Sequence, residues 1–247
     1  MIMKLVTKDK ATFSRFIQSF VVLSVILSGC GLLDSDYDEP LQELQTPEVE
    51  LIPLAVGNYW IYDQWQVEPT WRDTVRNEVL LNRDVIIENT KVQAFGTYRF
   101  RYDQQPGEDA LISLSANGKD GHYLLGFDAP FDALNSLSKG LRYKYPANPG
   151  DSWEHNTIVF NVIEQKLRIG ETRTITLVDA TKTVETPAGT FENCYVYRFW
   201  DFRTASILVH YVSIKPMIGI VGVDTFVADD MDDLYGQQRL IEYEINN

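Results

Sequence analysis

The chain has few of the residues that do covalent or metal chemistry. Its only cysteines are Cys30 and Cys194, and its only histidines are His122, His155 and His210. Each histidine lies in or beside a different strand-like run, and no two stand at a metal-ligand spacing. Nucleophile-elbow, P-loop, dinucleotide and HExxH words are absent, so no hydrolase, nucleotide or zinc-protease signature is present and no cofactor is expected. Positive charge is scarce as well: 22 Lys and Arg face 35 Asp and Glu, for a net charge of −13. An acidic surface repels phosphate backbones, which argues against nucleic acid as a partner. The apolar run at the N-terminus, Phe16 to Leu27, is 12 residues long. A membrane-spanning helix needs roughly 20.

What that run does have is a setting. Lys4, Lys8, Lys10 and Arg15 precede it, and Leu27-Ser28-Gly29-Cys30 closes it. A basic start, a short apolar stretch and small residues before a cut make a signal peptide over residues 1–29. The word Leu27-Ser28-Gly29-Cys30 resembles the lipobox of bacterial lipoproteins. That resemblance implies cleavage before Cys30, with a diacylglycerol thioether and an acylated amine on it. Several acyl chains suffice for stable anchoring, since each buried methylene adds about 0.8 kcal/mol. Gly31 in place of Asp after the cysteine points, by the same resemblance, to the outer membrane of the cell envelope. Removing residues 1–29 takes away four positive charges against the single negative one of Asp9, so the mature chain is more acidic still. With Cys30 lipidated, Cys194 stands alone and no intramolecular disulfide can form.

Residues 30–50 carry Asp34, Asp36, Asp38, Glu39, Glu43, Glu48 and Glu50 with no Lys or Arg, and Pro40 and Pro47 interrupt them. This composition reads as a solvated acidic tether. Residues 51–247 read as one β-rich domain. Tyr98, Phe100 and Tyr102 alternate with Thr97, Arg99 and Arg101. Tyr195, Tyr197 and Phe199 alternate with Val196, Arg198 and Trp200. Ile241, Tyr243 and Ile245 alternate with Leu240, Glu242 and Glu244. Period two of this quality predicts antiparallel strands with one buried face. The fold class is therefore all-β: a large curved antiparallel sheet, partly closed as a barrel or sandwich. One short helix is expected at Phe131–Lys139 and a further helical turn near Asp230–Tyr235.

A weak internal repeat runs through the domain. The pattern P-x-x-x-G-[DN]-x-W occurs at Pro53–Trp60 and again at Pro146–Trp153, 93 residues later. Phe95–Phe100 is echoed by Cys194–Phe199, and Gly126–Asp128 by Gly222–Asp224, at offsets of 99 and 96. A duplicated β-meander with halves at 51–130 and 143–226 accounts for this, and so does convergent turn chemistry.

The words PLAVGNYWIY at Pro53–Tyr62, PGDSWE at Pro149–Glu154, VETPAGTFENCYVYRF at Val184–Phe199 and MIGIVGVD at Met217–Asp224 resemble a set of uncharacterised bacterial envelope lipoproteins. That set carries PLxxGNxWxY, then VxTPAGTFxNCY, then GxGxV. The resemblance covers nearly all of the mature domain. It implies location and a fold similar to the curved sheets of periplasmic lipoprotein carriers, and it implies no catalytic residues.

Asp229, Asp230, Asp232 and Asp233 form the densest carboxylate cluster, a weak calcium candidate against a solvated acidic loop. Cys194 reads as a small core residue rather than a nucleophile. Trp60, Trp65 and Trp71 with Tyr59 and Tyr62 place aromatics on both faces of one strand, either as a two-layer core or as a face for a glycan, a hydrophobic ligand or an envelope protein. The expected function is a membrane-anchored, non-catalytic binding or scaffolding module. The alternatives are an envelope hydrolase using scattered carboxylates and a carrier of a hydrophobic ligand.

Overall fold

The computed structural model of the chain describes residues 42–67, 70–87, 89–102, 112–128, 140–161, 166–202, 207–228 and 230–246. Thirteen strands and, among the described residues, no helix make up the domain. They are β1 Gln42–Glu43, β2 Tyr59–Gln66, β3 Trp71–Ile87, β4 Thr90–Arg101, β5 Ile112–Gly118, β6 Gly121–Asp128 and β7 Gly140–Lys144. The rest are β8 Ser152–Asn161, β9 Lys166–Thr186, β10 Gly189–Asp201, β11 Leu208–Lys215, β12 Gly219–Val227 and β13 Asp230–Glu244. All-β architecture with antiparallel pairing was legible in the alternation. Phe131–Lys139, where a helix was expected, lies outside the described residues. The helical turn expected at Asp230–Tyr235 is instead the start of β13. Two register shifts against β12 in this stretch break the strict alternation, which is why no strand signal showed in the sequence.

The order in the sheet is β7-β6-β5-β4-β3-β2-β13-β12-β11-β10-β9-β8. From β2 to β7 and from β8 to β13 each strand pairs with its neighbours in sequence, the first long strand, β2, also pairs with the last, β13, and β1 lies off this path against β4. Two six-stranded meanders, β2–β7 and β8–β13, are joined along that ladder from Tyr59↔Glu244 to Gln66↔Gly236. The other ends curl round to meet at β7 and β8. No backbone ladder joins these two. Instead the Trp153 indole donates to the Leu141 carbonyl at 3.2 Å, and the Tyr197 hydroxyl donates to the Lys144 carbonyl at 2.8 Å. The result is a nearly closed barrel with one laced junction and one side-chain seam.

The two P-x-x-x-G-[DN]-x-W words open the two meanders and make the same contacts. Gly57 N–H donates to the Val79 carbonyl, and Val79 N–H donates back to the Asn58 carbonyl. Gly150 N–H donates to the Leu177 carbonyl, and Leu177 N–H donates back to the Asp151 carbonyl. Both glycines have positive φ, 93° and 97°, a region that L side chains avoid. Val79 and Leu177 are each fully buried. Each word therefore pins a tight turn to the second strand of its meander, β3 or β9, and swings its tryptophan inward.

Apolar side chains plug part of the barrel. Trp60, Tyr62, Val75, Val79, Val221 and Leu240 form one cluster, and Tyr143, Ile175, Leu177, Tyr197, Val212 and Ile214 another. Fully burying one such side chain is worth about 1.5–3 kcal/mol, against about 0.5–1.5 for a net hydrogen bond. The plug around Tyr143, more than the two bonds, therefore holds β7 against β8. A third cluster, with Val92, Ala94, Leu114 and Leu125, packs on the opposite face of the first meander and takes up Leu44. The C-terminal end of the acidic segment is thus not free tether. Gln42 and Glu43 pair in parallel with Thr90 and Lys91, and Glu50 accepts a bond from the Leu54 N–H.

Candidate functional site

Alternation along the strands sends one set of side chains into the barrel. A barrel of about 8 strands is just filled by its own side chains, so twelve leave room. A hollow of about 360 Å³ is lined by Asn77, Thr97, Arg99, Ser113, Arg142, Tyr143, Phe199, His210, Val212, Ile220, Val223 and Gln238. It shares Asn77, Thr97, Ser113, Arg142, Tyr143 and Ile220 with a deeper hollow of about 120 Å³ that ends on Trp60, Ile52 and Leu54. It shares His210, Val223 and Gln238 with an outer one of about 230 Å³, flanked by Trp65, Trp71 and the amides Gln64 and Gln66. The three adjoin through these shared residues in one passage of mixed polar and apolar lining that ends on an apolar floor.

None of the residues lining these three hollows is an acid. Two arginines face this space. Arg99 Nη2 donates to the amide oxygens of Gln64 and of Gln238, the latter at 3.2 Å, and its side chain remains open to solvent. Arg142 stands 5.3 Å from the Tyr143 ring, and among the described residues no carboxylate pairs with it. The local geometry explains its direction. Tyr143 pairs with His122 and Leu141 with Tyr123, so Arg142 is the extra residue of a β-bulge. A bulge re-aims its side chain, here toward the same hollow that its neighbour Tyr143 lines.

The field of Arg142 is visible in the two histidines beside it. His122 is pushed down to about 3, first by burial and then by Arg142 and His155. His155 is pushed down to about 4 by burial and Arg142, with Arg173 adding to the effect. Both are neutral at pH 7, so the arginines carry the charge of the interior. Several polar atoms here are buried without a partner: Asn77 Oδ1, the Tyr143 hydroxyl and His155 Nδ1. Tyr143 is 1% exposed. The acid linked to the hollow is Asp201, set behind it in an ion pair with Arg173 at 3.0 Å and 3.9 Å from His210 Nε2.

The residues singled out in the sequence fare differently. Cys30 and Asp229 lie outside the described residues, as does the Asp230 side chain. Asp232 and Asp233 are exposed on strand β13. Among the described residues no cluster of three or more His, Cys, Asp or Glu could hold a metal ion. Cys194 is fully buried, its Sγ donates to the Phe191 carbonyl at 3.3 Å, and burial raises its pKa. Trp60 and Tyr62 face the core, whereas Trp71 is 37% exposed at the mouth. The histidines that sequence kept apart are gathered: His122 and His155 about Arg142, and His210 onto Asp201. Reading the sequence alone missed Arg99 and Arg142. The signal for Arg99 was present, since Thr97, Arg99 and Arg101 share a strand face, and that face turns inward. Nothing in the sequence marks the bulge that aims Arg142.

No family model matches this chain, and no curated protein matches it. Two solved structures are similar. One is an assigned lipoprotein of Parabacteroides distasonis, 12% identical. The other is an exported protein of Bacteroides fragilis described as having a YmcC-like fold, 16% identical. Each alignment covers 79% of this chain and 99% of the other, with a TM-score of 0.44.

Proposed function

We propose that this protein is a lipid-anchored envelope lipoprotein, attached through Cys30, whose barrel is a non-catalytic binding module. The observation that carries the reading is the interior passage, a solvent-reached hollow with convergent polar groups and no carboxylate on its walls. Binding sites are concave and carry a few placed polar groups. A carboxylate hydrolase needs two facing acids. Asp63 and Asp73 do share an outer cleft, but each is held by an arginine, Asp63 by Arg72 and Asp73 by Arg101. A carrier of an apolar ligand needs a wall free of charge, whereas here Arg99 and Arg142, with Asn77, Thr97, Ser113 and Gln238, stand among Tyr143, Phe199, Val212, Ile220 and Val223.

The anchor is tested by metabolic labelling with a radioactive fatty acid, followed by membrane fractionation. The native chain is expected to incorporate label and to sediment with the outer membrane. Cys30→Ser is expected to do neither. Label retained in Cys30→Ser, or native protein recovered in the soluble fraction, overturns the anchored reading. Turnover of ester, glycoside or peptide substrates by the purified chain, abolished by Asp63→Asn or Asp73→Asn, overturns the non-catalytic one.

A further inference from the structure

We infer that the passage is a site for a small hydroxylated organic anion of the sugar-acid class, its carboxylate held by Arg99 and Arg142 and its hydroxyls by Asn77 and Tyr143. This deepens the binding-module reading and rests on it.

The charge argument comes first. The chain is strongly acidic overall, yet the walls of the hollow carry two guanidinium groups and no acid. Arg99 is met only by neutral amide oxygens, those of Gln64 and Gln238, and Arg142 by an aromatic ring. A guanidinium is a planar fork of donors matched to a carboxylate. Arg173 is paired with Asp201 and Arg239 with Asp224 at 2.5 Å. Among the described residues Arg142 and Arg99 have no such carboxylate, and both line the same hollow. Both histidines next to Arg142 are held neutral, so they do not compete for the anion.

The hydroxyls follow from the atoms left over. Asn77 Oδ1 is a buried acceptor with no donor. A fully deprotonated anion has no proton to give it, whereas a hydroxyl has. The Tyr143 hydroxyl, buried and unpartnered on the same wall, takes or gives a bond as the ligand requires. Thr97, Ser113 and Gln238 add short polar side chains around them. The volume, about 360 Å³, suits one sugar ring with its carboxylate better than a polymer.

The test uses the full chain purified in detergent, with thermal shift and isothermal titration calorimetry as readouts. The probes are D-galacturonate, D-galactose as its uncharged counterpart, and inorganic phosphate as an anion with no sugar. Galacturonate is expected to give a saturable rise in Tm and a binding isotherm, with galactose at least about tenfold weaker for want of the charge-assisted contact and phosphate about tenfold weaker for want of the hydroxyl contacts. Arg142→Gln is expected to abolish the galacturonate response and Asn77→Ala to weaken it, each variant being first shown to melt cooperatively without ligand. Arg99→Gln, at a solvent-reached position, serves if Arg142→Gln does not fold. No response to galacturonate overturns the inference. Phosphate binding as tightly as galacturonate overturns the hydroxyl half of it. Galactose binding equally, and undisturbed by Arg142→Gln and Arg99→Gln, overturns the anion half while leaving the binding-module reading intact. Chemical conversion of a galacturonide removes that reading as well.

Discussion

The indole N–H of Trp153 donates to the backbone carbonyl of Leu141 across the one junction of the barrel that lacks a ladder. On the opposite side, β2 and β13 are laced by backbone bonds over eight paired positions. The same ring is thus closed in two different ways.

Trp153→Phe keeps a ring in place but removes the indole N–H that bonds the Leu141 carbonyl. Denaturant unfolding is expected to show a loss of about 1–2 kcal/mol, and amide exchange to speed up in β7 before it does in β2. Trp153→Ala, which also empties ring volume beside Tyr197, is expected to cost about 3–5 kcal/mol. A Phe variant as stable as the parent shows that the bond does not hold the seam.

The buried histidines set a dependence on pH. In the unfolded chain both titrate near 6.5. In the fold His122 lies at about 3 and His155 at about 4. Between those values and 6.5 the unfolded state holds protons that the fold refuses. The stability they represent is complete above about pH 6.5 and is lost as pH falls, on the order of 1.4 kcal/mol per pH unit for each histidine. His122→Asn keeps a polar group near Asn117 and removes one titration. Its Tm is expected to fall less steeply than the parent's between pH 6.5 and 4. Equal slopes would show that His122 takes no part.

Arg173 and Asp201 form an ion pair with both residues 8% exposed. Asp201→Asn strands a buried guanidinium and is expected to cost about 3–5 kcal/mol, whereas replacing both partners with apolar residues of similar size recovers much of that loss. Chemical denaturation of the single and double variants checks it. An Asp201→Asn variant within about 0.5 kcal/mol of the parent, the range of an ordinary surface change, contradicts the buried-pair account.

Cys194 is fully buried with a raised pKa. A thiol reagent is expected to leave it unlabelled in the native protein and to label it stoichiometrically in denaturant, since the thiolate is the reactive form. Rapid native labelling would mean that the hairpin of β9 and β10 opens.

Much of the fold was legible because period-two alternation survives wherever a strand has two different faces. Tyr197 and Phe199 follow it, pointing into the barrel as their run of aromatics suggests. The run at Tyr98, Phe100 and Tyr102 does not: its arginine partners turn inward. A barrel with a wet interior reverses the usual association of apolar with inside, and one strand cannot report how wide a barrel it belongs to. Tyr243 fails for a different reason. A register shift between Leu240 and Glu242 moves Leu240 to the core and leaves Tyr243 36% exposed. The candidate site was the least legible part, because Arg142 owes its direction to a bulge and Arg99 and Arg142 meet only when β4 and β7 curl round the same hollow.

The pairing of the first long strand with the last also governs the order of assembly. Tyr59 and Glu242, joined by a hydrogen bond at 2.7 Å, are 183 residues apart. Contacts this distant along a chain form late and slow the reaction. A chain folding from its N-terminus could build its leading meander early, but β2 would keep a bare edge until β13 was in place. Such an edge invites pairing with the wrong partner. Truncation of even the final strand would therefore leave not a shorter barrel but an unclosed one.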